Sequence, residues 1–358
     1  MKYITELSDI INIVNESEII KEEAIFESEN VSVNNIKRFI LFDFKNYEKI
    51  NKFKIKGLKI DYVYSDSFTF DISDDIVHIT NIGKKNTIDI AYDEYSTTVI
   101  YCKSGYLNEN VIYLINKFID NKFFVINNPK DVQVSANKLL TSKLLDENHI
   151  RQAKYCVINK DDCDIDADMD KFETTIASIY GNSNEENKYV CKILGGHGGH
   201  GVFICNQKNI LSVLQCIFTV MPKDYNNPNI LVQQKIDFET GDLRAYVLNI
   251  NGYQEVVECI MRKKSSDDFR TNISLGNSIL KYKLNYEQEE FVKRVARKSG
   301  LIFAGIDLCI EKDTKNLYVI EINGAPGAPT AINIDEEENR EAHEKFYSKI
   351  INIIDKNI

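Results

Sequence analysis

Apolar residues recur along the chain with two different periods, and the two periods take turns. Phe39-Ile40-Leu41-Phe42 and Thr98-Val99-Ile100-Tyr101 are compact apolar runs of strand length. From about Asn108, Val111, Leu114, Ile115 and Phe118 follow at helical spacing, and Phe123-Phe124-Val125-Ile126 makes a further short strand. Strand, helix and strand in that order predict a parallel unit, so residues 1–128 read as an α/β domain. Its acidic stretch from Ser65 to Asp75 reads as a loop or an edge region. Asn127-Asn128-Pro129 closes the domain with a turn.

Beyond that turn the pattern predicts one helix from about Asp131 to Leu145, carrying Lys138. The runs DDCDIDADMD and GNSNEEN, within residues 160–187, read as exposed, solvated loops. From Tyr189 the text YVCKILGGHGGHGVFI gives strand, glycine loop, strand. A helix from Asn209 to Phe218 and a strand from Ile230 to Ile236 follow. Asn251-Gly252 is a strong hairpin signal. A helix over 285–299 has Asn285 as its cap, Gln288 at the capping-box position and Gly300 as its stop. A last amphipathic helix uses Phe346, Ile350, Ile351 and Ile354. The expected class is α/β, turning α+β in the C-terminal half, with boundaries at 1–128, 129–236 and 237–358.

Ala304 to Gly327 reads as a β-hairpin around the polar turn Glu311 to Asn316. Ile306, Leu308 and Ile310 share one face of the first strand, so Asp307 looks out from the other. In the second strand Ile320 and Ile322 are expected to be buried, with Glu321 and Asn323 projecting together the opposite way. Three hard oxygen donors brought together in this way suit Mg²⁺. A surface hairpin with a few solvated acids fits the same letters, and this stretch alone does not separate the two.

Composition narrows the options. The 358 residues allow two or three domains, each with its own core. A hydrophobic share of 43% and a charged share of 27% belong to an ordinary globular protein. The net charge of −10 and the want of a basic stripe argue against a nucleic-acid partner. No apolar run reaches membrane-spanning length, and MKYITELSDI lacks a signal peptide's build, so a cytoplasmic protein without membrane association is expected. The eight cysteines form no CxxC and read as buried, reduced thiols.

Five of the 16 glycines fall within Gly195 to Gly201, where backbone N–H groups can approach phosphate oxygens closely. No Gly-Lys-Ser/Thr ends this loop and a strand follows it, so it is neither a Walker loop nor a dinucleotide fingerprint. A flexible hairpin tip is the bland alternative. Lys192, three residues upstream, could reach a phosphate as a point charge. His197 and His200 read as loop donors or phosphate contacts rather than metal ligands. Ile230 to Ile236 could offer its backbone to an adenine edge, as any buried strand could. Asp242 and Arg244 alternate onto one strand face, while Arg262 and the DDFRTNISLGN segment add cations and an Asn nearby. Each arginine alone also suits a surface ion pair. Together with the acids they supply the electrostatic parts of phosphoryl transfer.

The ordered set NNP, Asn137-Lys138, KILGGHGGHGV, ILVQQKI, GDLRAYV, MRK…DFRTNISLGN, AGIDL and VIEINGAPG resembles the ATP-grasp enzymes. Within them it is most similar to the RimK-type carboxylate–amine ligases, from about Asn127 to Gly327. The resemblance implies an ATP-grasp fold with an N-terminal α/β pre-ATP-grasp domain and a nucleotide held between two α+β subdomains. It implies that Lys138 and Lys192 contact ATP phosphates and that Gly195, Gly196, His197, Gly198, Gly199 and Gly201 belong to a mobile loop over the triphosphate. Gln234, Lys235 and Ile236 would form the adenine hinge and Asp242 would meet the ribose. Asp307, Glu321 and Asn323 would hold two Mg²⁺ ions, with Mn²⁺ as a substitute. Arg244 would stabilise the transferring phosphate, and Arg262, Arg270 and Asn272 would lie near an acyl phosphate and the incoming substrate. Gln234 stands where many relatives have Glu, Lys263 where RimK-type enzymes often repeat Arg, and the loop's two histidines replace small or polar residues. These departures bear on substrate choice, since no metal ligand or phosphate cation is lost.

The expected activity is therefore an ATP- and Mg²⁺-dependent carboxylate–amine ligase working through an acyl phosphate. It would add an amino acid such as glutamate to a peptide, protein or cofactor, or crosslink a precursor peptide. A homo-oligomer suits the family. The alternatives are a phosphotransferase on the same scaffold and a nucleotide-binding protein without turnover.

Overall fold

The computed structural model describes residues 33–45, 53–84, 87–104, 106, 108–164, 167–182, 184–195, 201–221, 228–238, 241–263, 278–329 and 336–358. Its first part runs β1 (Arg38–Asp43), β2 (Lys59–Tyr64), β3 (Phe68–Ser73), β4 (Ile76–Asn81), β5 (Thr87–Ala91), β6 (Thr98–Cys102), α1 (Glu109–Asp120) and β7 (Phe124–Ile126). The order β2-β1-β6-β7 is parallel throughout, as the strand–helix–strand pattern predicts. Every residue of β1 and β6 is buried, the signature of strands covered on both faces. The acidic stretch after Ser65 forms β3, the edge of an antiparallel β3-β4-β5 meander. Phe68, Phe70 and Ile72 turn inward there while Thr69, Asp71 and Ser73 face out.

The middle part runs α2 (Pro129–Ala136), α3 (Lys138–Glu147), β8 (Tyr155–Asn159), α4 (Met169–Ala177), β9 (Lys188–Ile193), β10 (Val202–Asn206), α5 (Ile210–Val220) and β11 (Asn229–Gln234). Its sheet is antiparallel with order β10-β9-β11-β8. Where a single helix was expected from Asp131 to Leu145, the chain breaks at Asn137. Its backbone is extended and its side chain accepts from the N–H groups of Leu139 and Leu140, so α3 starts afresh from an Asn cap. The segment expected as exposed loop contains α4, because Asp168 at the end of the acidic run caps it through the Lys171 N–H. β11 stops at Gln234, two residues short of the expectation.

The last part runs β12 (Asp242–Ile250), β13 (Tyr253–Lys263), β14 (Ser278–Lys281), α6 (Tyr286–Ser299), β15 (Phe303–Ile310), β16 (Leu317–Asn323) and α7 (Glu336–Asn357). Its antiparallel sheet has the order β14-β13-β12-β15-β16. Asn251 and Gly252 turn the β12–β13 hairpin with φ of 50° and 86°, the left-handed pair that a two-residue turn requires. The capping box of α6 joins Asn285 and Gln288, and Gly300 ends the helix.

The cores divide differently from the expectation of one core per domain. Leu243, Ala245, Ile306 and Leu308 on one face of the last sheet pack with Val292 and Val295 of α6, in a cluster that also takes in Ile40, Val63 and Ile100 of the parallel sheet. On the other face Tyr246, Leu248 and Phe303 join Phe346 and Tyr347 of α7 and Phe39 and Tyr101 of the parallel sheet. The first and last parts thus share two cores, while the middle sheet keeps its own around Phe172, Tyr189, Leu214 and Val232. Cys216 is exposed on α5 and Cys156 half-buried, against the expectation of buried thiols throughout; the other six are buried. Among the described residues no helix is long and apolar enough to cross a membrane.

Candidate active site

The register of the last sheet sets chemistry-bearing side chains beside one another. Asp242 on β12 pairs with Arg262 on β13, Arg244 with Asp307 on β15, and Asp307 with Glu321 on β16. Two positions along, on the same face, Gly305 pairs with Asn323. Since residues two apart share a face, Asp242 and Arg244 look out on the same side, opposite the apolar side that packs on α6. The register of β15 and β16 shifts between Asp307 and Leu308, leaving Ile320 as an extra residue. That bulge corrects the simple alternation: Val319 and Ile322 are buried and Ile320 is only half-buried. Glu321 and Asn323 keep their common face.

A charge network ties this face together. Arg244 grips Asp307 with two parallel bonds, Nε to Oδ1 at 2.6 Å and Nη2 to Oδ2 at 2.7 Å. Arg262 grips Asp242 through Nε at 2.9 Å and through Nη2, and the same Nη2 lies 3.2 Å from Asp307 Oδ2. Burial alone would push the Asp307 carboxyl up; the two guanidinium groups more than offset it and hold it below the usual carboxylate range. Burial likewise works against both arginines, and Asp307 and Asp242 overcome it, so both stay charged. Arg244 keeps 19% of its side chain exposed against 4% for Arg262.

Lysines approach from the middle part. Asn137 places Lys138 at the first position of α3, and the Lys138 N–H donates to the carbonyl of Leu194, just ahead of the glycine loop. Lys138 Nζ lies 4.0 Å from Glu321 Oε1. Lys192 comes from β9, paired to Val202 and Leu231. Burial pushes its ammonium down to about 8, against the pull of Glu321 and with the push of Lys138. Burial also lowers Lys138, with Glu321 opposing. Four cations therefore meet three carboxylates, and in the two lysines burial outweighs the carboxylates' pull, an arrangement that favours the arrival of an anion.

The other expected site residues divide into three groups. Gly195 and Gly201 stand at the two ends of the loop, whose base is closed by the Ile193 N–H on the Gly201 carbonyl. Gln234 ends β11 beside Tyr189, and Lys235 and Ile236 continue from it half-buried, Lys235 paired to Asp237. Gly196, His197, Gly198, Gly199, His200, Arg270 and Asn272 lie outside the described residues. Asp242, expected to meet a ribose, is 3% exposed and bound to Arg262, which it anchors from within the sheet. Gly241, just before it, has φ +126°, and a Cβ there would come within 2.3 Å of the Arg262 carbonyl oxygen. Sequence reading missed the capping role of Asn137, although an Asn directly before a periodic run is a legible signal.

Asp307, Glu321 and Asn323 fit a hard divalent cation. Two carboxylates and one amide oxygen are the donor chemistry such an ion prefers. Glu321 is one-third exposed, and Asn323 directs its NH₂ to the Gly305 carbonyl and Asp307, which leaves its Oδ1 as an acceptor. Among the described residues no group of three or more His, Cys, Asp or Glu could hold a metal ion, so the fit rests on two carboxylates joined by the Asn323 amide.

A family model described as a RimK-like ATP-grasp domain matches residues 135–341. The chain is 26% identical over 241 residues to the tetrahydromethanopterin:alpha-L-glutamate ligase of Methanocaldococcus jannaschii, covering 66% of this chain and 74% of that protein. It is 31% identical over 140 residues to a probable alpha-L-glutamate ligase of Legionella pneumophila, covering 38% and 42%. Among solved structures it is similar to the Chryseobacterium gregarium RiPP-associated ATP-grasp ligase in complex with ADP and a leader and core peptide, with TM-score 0.59, 13% identity and 89% and 96% of the two chains covered. D-alanyl-alanine synthetase A from Vibrio cholerae aligns with TM-score 0.58 and 11% identity over 90% and 100%.

Proposed function

The chain belongs to the RimK-like ATP-grasp family, and from that premise we propose that it is an ATP- and Mg²⁺-dependent ligase joining a carboxylate to an amine. The named relatives make an amino acid, glutamate first, the leading candidate for the amine, and a peptide, protein or cofactor tail the candidate for the carboxylate. The observation that carries this reading is the meeting of Lys138, Lys192 and Glu321 with Arg244 and Asp307 on one face of the last sheet.

The substrate carboxylate attacks the γ-phosphorus of ATP in line, forming an acyl phosphate and releasing ADP. The amine nitrogen then attacks the acyl carbon, the C–N bond forms, and inorganic phosphate leaves with the electrons of the broken C–O bond while the amine loses a proton. Lys138 and Lys192 meet the nucleotide's phosphates, and the anion's arrival offsets the cost of their burial. Arg244 spends Nε and Nη2 on Asp307, leaving Nη1 to meet the transferring phosphoryl oxygens. Arg262, nearly sealed from solvent, acts from behind by holding Asp307, with Asp242 as its own anchor. Asp307, Glu321 and Asn323 would hold Mg²⁺, which when bound neutralises charge on the phosphates. Position and charge supply the catalysis, so no nucleophilic Ser or Cys is required.

The test is ADP release with ATP, Mg²⁺ and hydroxylamine across amino acids, glutamyl peptides and precursor-like peptides. ADP together with a hydroxamate from the cognate carboxylate is the expected result. ADP with a stable phosphorylated product and no hydroxamate would replace the ligase by a phosphotransferase. Nucleotide binding without ADP release from any candidate would leave a binding protein.

A further inference from the structure

The last pair joining β15 to β16 is Gly305 with Asn323. Beyond it β16 departs at Gly324, while β15 still extends back through Ala304 and Phe303, with β12 on its other side. The backbone groups of β15 that face the departed strand are buried there and need partners. One side chain supplies them, and it comes from a different sheet. Asn127, at the end of β7, is fully buried with φ +59°. Its Oδ1 accepts from the N–H groups of Ile302 at 2.8 Å and Phe303 at 2.9 Å. Its Nδ2 donates to the carbonyl of Phe303 at 2.6 Å and to the carbonyl of Gly324. Bonding both the N–H and the C=O of Phe303, the amide stands in for a residue of the absent strand.

We propose that Asn127 is a positioning residue for the metal site: it pins the splayed end of the hairpin and so fixes Asn323 and Glu321 against Asp307. The inference rests on the metal-site reading above. Gly324 follows Asn323 directly, so its carbonyl is the nearest backbone handle on that ligand. The spot has no slack, since a Cβ on Gly324 would lie 2.8 Å from Ser135 Oγ. Released from Asn127, β16 could swing about the bulge at Ile320, and both of its ligands lie between that bulge and the free end. Groups that orient ligands in this way alter metal affinity by about 10- to 100-fold when removed.

The test follows Mn²⁺ binding in the presence of a non-hydrolysable ATP analogue, by calorimetry, beside thermal unfolding. Asn127→Gly suits the test because glycine accepts the positive φ and loses only the amide. Asn127→Asp is the second variant, keeping the acceptor but turning lone pairs on the two carbonyls. The control is Tyr106→Phe, which removes a 3.3 Å bond to the Asn127 carbonyl and leaves the amide alone. Either folded Asn127 variant should raise the Mn²⁺ midpoint about tenfold, with analogue affinity in the absence of metal unchanged, whereas the control should lower only the unfolding temperature. An unmoved midpoint in a folded Asn127 variant would overturn the proposal and leave the residue a purely structural weld. A wild-type protein that binds the analogue with no response to Mn²⁺ would overturn the metal reading itself, and this proposal with it.

Discussion

The arginine side and the lysine side of the site hold similar charge by opposite means. Arg244 and Arg262 are locked onto Asp307 and Asp242 at 2.6–3.2 Å before any ligand arrives. Lys138 and Lys192 are buried, Glu321 Oε1 stands 4.0 Å from Lys138 Nζ, and burial depresses both ammonium groups. Buried charges locked in bidentate pairs contribute fixed geometry, while those whose burial outweighs the pull of nearby carboxylates carry a free-energy cost that an anionic ligand offsets. The arginine side is therefore organised by the fold and the lysine side by what it binds.

Removing Asp307 should break the first half of that contrast most severely. Asp307→Ala leaves two buried guanidinium groups short of a partner, and we expect a loss of roughly 3–5 kcal/mol of stability together with a fall in kcat of about a hundredfold or more. Denaturant unfolding and ADP release read the two effects. Lys192→Met should do the reverse, leaving the unfolding temperature unchanged or higher while nucleotide affinity drops by about ten- to a hundredfold. A Lys192→Met protein that unfolds early and binds nucleotide normally would erase the distinction between the two sides. The gentlest probe is pH. Lys192 titrates near 8 in the fold, below its unfolded value, so between those pH values the unfolded chain binds more protons. Its contribution to stability therefore rises with pH across that window, while nucleotide affinity falls by up to about tenfold per unit above 8. Lys192→Arg should flatten the fall in affinity.

What the sequence discloses depends on how far away each residue's partner lies. Asn251-Gly252 and the Asn285–Gln288 box are read correctly because turn and cap chemistry is settled within a few residues. The convergence of Asp307, Glu321 and Asn323 is legible because strand alternation is a local rule. Its one failure is local as well: the bulge at Ile320 inserts a residue into an otherwise regular period. The break at Asn137 is masked by apolar spacing that continues across it, and only the Asn ahead of the second run signals the new helix start. The ion pair of Asp242 is not legible locally, because Arg262 on β13 is 20 residues away. Asn127 reads as a turn residue and nothing more, since its partners lie 175 to 197 positions downstream. The shared cores are hidden for the same reason, as no pattern within β1 or β6 names the sheet that covers it.

Gly241 also limits how this scaffold can be redesigned. With the strand bearing Arg244 entering the sheet against the backbone of Arg262, a side chain at that position has nowhere to go. A library meant to retune the arginines for a new acceptor would waste every variant that touches this position. Diversity has to enter from elsewhere in the chain, so the guanidinium pair behaves as a fixed anvil against which other parts may be reshaped.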